Sequence, residues 1–325
     1  MLEIFKRNTF FSMMLLIPYA IVLHLGPWFV EIPAYTSSKT WVFTNAVLPY
    51  VTSGPAQWIL STLLIVFTSF VIGQLVSKFK LMQDAQLFPS LFYILFCGLH
   101  FRTLEFSAIL IANVFFSISL LQLFQIYQKK HVPVTLFNFG LLIGLSSLFY
   151  LPYFYYLFIG IIGLIILRGF KPRELFQILG GFINVYILIF FILFLLNNHG
   201  AFYQNQIVSF FRPFIFSMKF QNEAWVLFGI TITCILYTIA NYSYFQIKKS
   251  IIVQKIFDIL FWCLLISLFS TFFLRIDNPA HLIMTFTPLA ILCGLLFSRL
   301  KNPLIAETLH LFLIMISLFL QFQNW

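Results

Sequence analysis

Apolar residues in this chain do not recur at the period of an amphipathic helix or a half-buried strand; they run in long blocks divided by short polar connections. About 20 apolar residues make a helix that crosses a bilayer, where every backbone N–H and C=O must be bonded within the segment. The blocks lie at roughly 9–30, 56–76, 85–100, 106–126, 135–151, 153–167, 175–196, 224–244, 256–274, 281–298 and 304–323. They predict an all-α, polytopic transmembrane helical bundle of about eleven spans, forming one transmembrane domain over residues 1–325. The blocks 135–151 and 153–167 are short and meet at Leu151-Pro152, so the same stretch also reads as one bent re-entrant unit.

Composition excludes a soluble domain. Of the 325 residues 61% are hydrophobic and 9% charged, too few charges to clothe a core facing water. The net charge of +10 does not point to nucleic acid, because Lys and Arg come in ones to threes between apolar blocks rather than on one face. They sort by connection instead. With a cytoplasmic N-terminus, the inside connections hold Lys6, Arg7, Lys78, Lys80, Lys129, Lys130, Arg168, Lys171, Arg173, Lys248, Lys249, Lys255, Arg299 and Lys301. Lys39, Arg102, Arg212, Lys219 and Arg275 remain outside, and an odd number of spans puts the C-terminus on the extracytoplasmic side. Arg168, Lys171 and Arg173 fall inside only if 135–151 and 153–167 both cross. The first apolar block is too long for a signal-peptide core and lacks a small-residue cleavage site, so it reads as a retained span.

The inside connections carry no glycine-rich phosphate cradle or Walker pattern, which places any chemistry on the outer face. Two longer outer segments, 31–55 and 197–223, mix small polar residues with Trp41, Phe43, Tyr50, Phe210, Phe211, Phe214, Phe216 and Phe220. They read as interfacial helices, serving either as an aromatic anchor or as a roof over a lipid-entry site. Residues 198–223 thus form an extracytoplasmic interfacial loop, followed by C-terminal helices over 224–325.

Candidate chemistry gathers at the outer helix ends. His100, Arg102 and Glu105 share one tight connection, where a carboxylate and a His suit general-base or metal-ligand work and an Arg suits a phosphate. The local alternative is an ion pair three residues apart. Glu31 reads as the carboxylate closing the first span or as a catalytic base. Arg275, Asp277 and His281 precede the tenth span, where Asp277-Asn278-Pro279 also has the composition of a simple turn. None of the outer histidines, His24, His100, His199 and His281, falls in HxxxH or HExxH spacing, which disfavours a di-iron oxygenase; a divalent metal is conceivable but not indicated. Cys97, Cys234, Cys263 and Cys293 lie in apolar blocks as small hydrophobes. Within the spans, Asp258 and Glu307 are placed to pair with Lys255 and Lys301, and His310 lies one turn beyond Glu307.

An outer loop opening with Glu31, a second outer loop carrying Glu105, and closely spaced helices through FNFGLLIGLSSLFYLPYFYYLFIGIIGLIIL and RGFKPRELFQILGGF resemble the C-type membrane glycosyltransferases that use polyprenyl-phosphate sugars. The resemblance covers a module of the first seven spans, residues 1–197. The whole chain, including NPAHLIMTFTPLAILCGLLF and AETLHLFLIMISLFLQF, also resembles a family of bacterial polytopic inner-membrane proteins whose members have sometimes been mislabelled carotene monooxygenase.

The resemblance implies a bacterial inner-membrane location and a polyprenyl-phosphate-linked sugar as substrate. It implies Glu31, Glu105 and His100 as catalytic groups, and Arg102, Arg212, Arg275, Asp277 and His281 as substrate-binding groups. The first outer loop is shorter than is usual in that class and has Glu where Asp is frequent, which keeps a non-catalytic module in view. Two further readings therefore stand beside the enzyme: a non-catalytic membrane subunit of an envelope-assembly or secretion complex with inner-membrane or envelope partners, and a lipid or small-solute transporter. Membrane lipids are partners in every case.

Overall fold

The computed structural model describes residues 2–6, 9–26, 47, 51, 54–82, 86–208, 222–247, 249–273, 279–300 and 302–322. Among them there is no strand, and eleven helices carry the fold. They are α1 Phe10–Leu23, α2 Gly54–Lys78, α3 Phe88–Gly98, α4 Ala108–Phe124, α5 Pro133–Phe149, α6 Leu157–Leu167, α7 Pro172–Leu195, α8 Asn222–Ala240, α9 Ile251–Phe273, α10 Ile283–Phe297 and α11 Pro303–Phe322. Proline opens several of them. Pro89, Pro133 and Pro172 occupy the first turns of α3, α5 and α7, where the missing N–H has no helical partner to lose. Thr9 opens α1 by accepting a hydrogen bond from the Ser12 N–H at 3.2 Å.

Five helices are long and apolar enough to cross a membrane: α2, α7, α9, α11 and the continuous Pro279–Phe297 that ends in α10. The other six are shorter apolar helices, and the chain has the build of a multi-pass membrane protein in contact with lipid. Pro279–Phe297 is 94% buried and forms the axis of the bundle, flanked by α3, α4, α8 and α9. By contrast α7 and α11 are each 28% buried, and they turn Phe176, Leu188, Phe191, Phe312, Met315 and Phe319 outward. Those faces are suited to hydrocarbon rather than water.

The closest approach in the bundle is between α5 and α7. Gly140 and Gly144 form a GxxxG pair on α5, and a Cβ added at Gly140 would run into the Ile178 carbonyl of α7. Gly181 of α7 is in the same position against the Phe137 carbonyl of α5. With no hydrophobic drive between helices in lipid, this kind of backbone contact supplies the attraction. Between α5 and α6 the chain does not run as one bent helix. Tyr150 is extended, and Leu151–Tyr156 forms a 3₁₀ turn led by Pro152 before α6 starts.

Alternate connections meet at one end of the bundle. The Leu87 N–H bonds the Phe5 carbonyl at 3.0 Å, Phe79 stacks edge-on with Phe124, the Lys255 ammonium lies 5.1 Å from the Tyr127 ring centroid, and Lys249 Nζ reaches the Leu81 carbonyl at 3.4 Å. This basic end carries Lys6, Lys78, Lys80, Lys129, Lys130, Arg168, Lys171, Arg173, Lys249, Lys255 and Arg299. Among the described residues Arg102 is the cation of the opposite end.

One local expectation changes. Asp258 does not pair with Lys255; its Oδ1 accepts from Tyr242 Oη and Gln246 Nε2, both at 2.7 Å. His310 reaches α1, with Nε2 2.9 Å from Tyr19 Oη and the two rings stacked. All four cysteines are free, three of them buried.

Candidate functional site

The end opposite the basic one holds the sequence candidates that the structure describes. His100 follows α3 as the N-cap of a helical turn, Phe101–Leu104, and its Nδ1 accepts from the Arg102 N–H at 3.1 Å. The ring is 2% exposed and stacks on Phe101 at 4.5 Å. Burial, reinforced by the Arg102 guanidinium, pushes the His100 pKa down to about 4, so the ring is neutral at pH 7 and able to accept that bond. Arg102 lies 5.0 Å over the Phe101 ring and 3.8 Å from a Glu105 carboxylate oxygen. Thr103 Oγ1 closes the turn with a 2.6 Å bond to the Cys97 carbonyl.

The turn Phe101–Leu104 rests against the 3₁₀ turn Pro279–Leu282, which brings His281 to the same end. Both His281 ring nitrogens are engaged: Nδ1 is 2.7 Å from Tyr150 Oη and Nε2 3.1 Å from Ser270 Oγ. From this side a buried, uncharged polar seam runs into the bundle. Tyr153 Oη and Thr287 Oγ1 both donate to Asn113 Oδ1, at 3.0 and 3.1 Å, and Asn113 Nδ2 donates to Tyr93 Oη at 2.8 Å. Ser117 Oγ extends the seam to within 3.3 Å of Thr287 Oγ1. Asn113 thereby uses its amide on three neighbouring segments, α3, the 151–156 turn and α10. Sequence reading passed over Tyr93, Asn113, Tyr153 and Thr287, since single polar residues in apolar blocks form no motif; the one available signal is that a polar group inside a membrane bundle needs a partner.

The same end is tied together by α11. Gln321 Nε2 donates to the Leu23 carbonyl at 2.7 Å and to that of Gly98, and its Oε1 accepts from the Gly26 N–H at 3.1 Å. The termini of α1, α3 and α11 are therefore fixed side by side, next to the connection that carries His100.

Glu31, Arg212, Arg275 and Asp277 lie outside the described residues, as does most of the two aromatic outer segments. Of 198–223, a short helix His199–Phe202 and a π-helical turn Tyr203–Ile207 are described, with Gln206 donating to the Ser147 carbonyl at 3.1 Å. The structure thus brings together His100, Arg102, Glu105 and the turn holding His281. Among the described residues no group of three or more His, Cys, Asp or Glu is placed to hold a metal ion.

The basic end has its own partly buried ion pair, also unread from sequence. Arg168 binds Glu174 through two parallel bonds of 3.2 and 3.1 Å and reaches the Ile126 carbonyl at 3.1 Å and that of Lys129. One guanidinium so joins the connection after α4 to the one after α6. Compared with known proteins, the chain matches no family model and no curated protein.

Proposed function

We propose that the chain is a bacterial inner-membrane enzyme of the C-type glycosyltransferase kind, acting at its outer face on a polyprenyl-phosphate-linked sugar. In this reading all eleven helices cross, the basic end faces the cytoplasm, and the end with His100, Arg102, Glu105 and His281 faces outward. The observation that carries it is the convergence of the Arg102–Glu105 connection with the His281 turn at the end opposite the basic one.

The transfer needs three things from the protein. A carboxylate, Glu31, takes the proton of the acceptor hydroxyl as its oxygen forms a bond to the anomeric carbon. The bond from that carbon to the phosphate oxygen breaks, and polyprenyl phosphate leaves with the electron pair. Cationic side chains, Arg102 with Arg212 and Arg275, receive the departing phosphate. Neutral His100 holds the turn that presents Arg102, and Glu105 orients the guanidinium. His281, with both nitrogens engaged, sets the neighbouring turn.

The test is release of polyprenyl phosphate from a panel of polyprenyl-phosphate hexoses by the reconstituted protein. Glu31→Gln is expected to abolish release at normal membrane abundance; release at the wild-type rate removes the mechanism.

A second reading, a non-catalytic subunit of an envelope-assembly complex, is favoured by one observation. The described candidates all have local bonds that suffice to explain their positions, as in the His100 cap and the Tyr150–His281–Ser270 chain. Native mass spectrometry of gently extracted protein separates the two readings. A retained polyprenyl-phosphate mass supports the enzyme, whereas a stoichiometric protein partner without such a lipid supports the subunit.

A further inference from the structure

At the basic end, the connections after α2, before α9 and after α10 enclose a cleft of about 580 Å³. Tyr244 stands in its wall with two cations on one ring: the Arg299 guanidinium carbon is 3.7 Å from the ring centroid and Lys249 Nζ 5.7 Å. Among the described residues neither cation has a carboxylate within ion-pair distance, and Arg299 has no hydrogen bond to a protein acceptor. Lys249 spends one donor on the Leu81 carbonyl. Two like charges held together in a recess, with most of their N–H donors unspent, repel one another. Burial and the nearby Arg299 accordingly lower the Lys249 pKa.

The same end of the bundle carries Lys78 and Lys80, and the carboxylate of this neighbourhood, Asp258, is taken up by Tyr242 and Gln246. Gln86 also lines the cleft. A cleft with a guanidinium, an ammonium and an amide, and with no protein anion among the described residues to satisfy them, has the donor set of a phosphate site. Basic recesses between membrane helices hold anionic headgroups by this chemistry.

We infer that the cleft bounded by Tyr244, Lys249, Arg299 and Gln86 is a binding site for a phosphate-bearing anion, separate from the outer face where the transfer is placed. The ligand carries a phosphate monoester or diester, supplied by a phospholipid headgroup or by a soluble phosphate species.

Thermal stabilisation of the detergent-purified full chain is the measurement, with phosphatidylglycerol, phosphatidylcholine, inorganic phosphate and chloride at matched ionic strength as probes. Stabilisation by phosphatidylglycerol alone identifies a lipid occupant; stabilisation by inorganic phosphate as well identifies a soluble one. The double variant Lys249→Gln, Arg299→Gln is expected to bind the effective probe about thirtyfold more weakly, the loss of two surface cations. Lys249→Arg is expected to retain binding, and serves as a folded control in the same wall. Equal effects of all four probes on the wild type, or undiminished binding by a monodisperse double variant, overturn the inference.

Discussion

Neutral His100 caps its turn only while Nδ1 is free to accept. An unfolded histidine titrates near 6.5 and the folded ring near 4, so the unfolded chain takes up the proton first as pH falls. The stability this residue contributes is complete above about pH 6.5 and declines as pH drops toward 4, by at most about 3 kcal/mol. His100→Asn keeps a capping acceptor without the titration. Its unfolding midpoint in detergent is expected to fall less than that of the wild type between pH 7 and 4.5, and parallel curves would exclude this role. At the basic end, Glu174→Ala leaves Arg168 charged and mostly buried without its carboxylate. A loss of about 3 kcal/mol is expected in chemical denaturation, much reduced when Arg168→Met is combined with it. The His100, Arg102 and Glu105 neighbourhood was legible because three residues in one tight connection have nowhere else to go. The Arg168–Glu174 pair was not, since the stretch RGFKPRE reads as basic and its one acid is hidden by its neighbours. The Asn113 seam was illegible for a different reason: its members come from different helices, and contact between them is a property of the bundle.

Helix positions follow from hydropathy, and each predicted block falls on one of the eleven helices. Their starts shifted to where proline sets the first turn, later than predicted at Pro89 and earlier than predicted at Pro172, and the 153–167 block divided into a 3₁₀ turn and α6. Which helices touch is decided by small residues that hydropathy scoring ignores. Gly140, Gly144 and Gly181 let α5 and α7 meet backbone to backbone. Gly140→Leu is expected to part the two helices, costing about 1–3 kcal/mol or more from overpacking, and to lower the detergent unfolding midpoint. Gly180→Leu, where an added Cβ meets open space, is expected to leave the midpoint nearly unchanged. Equal effects at the two positions would show that the α5–α7 contact does not depend on this approach.

At the scale of the molecule, the described lysines and arginines assigned to every second connection converge at one end of the bundle, with Arg102 at the other. In cells, a cysteine at Lys130 is expected to resist a membrane-impermeant thiol reagent, and one at Gly200 to react, against a background of four native thiols of which three are buried. Reversed labelling would invert the orientation. The placement of Pro279–Phe297 has a bearing on biogenesis. This segment is the axis of the bundle, yet it leaves the ribosome after α3, α4, α8 and α9, the helices that flank it. Tyr93, Asn113 and Ser117 enter the membrane well before Thr287 arrives to meet them. Until then their polar groups must be sheltered by the insertion machinery, by lipid headgroups or by one another. A ribosome halted near residue 275 would therefore leave a nascent bundle whose seam is open to lipid, a species that membrane quality control is equipped to recognise and remove.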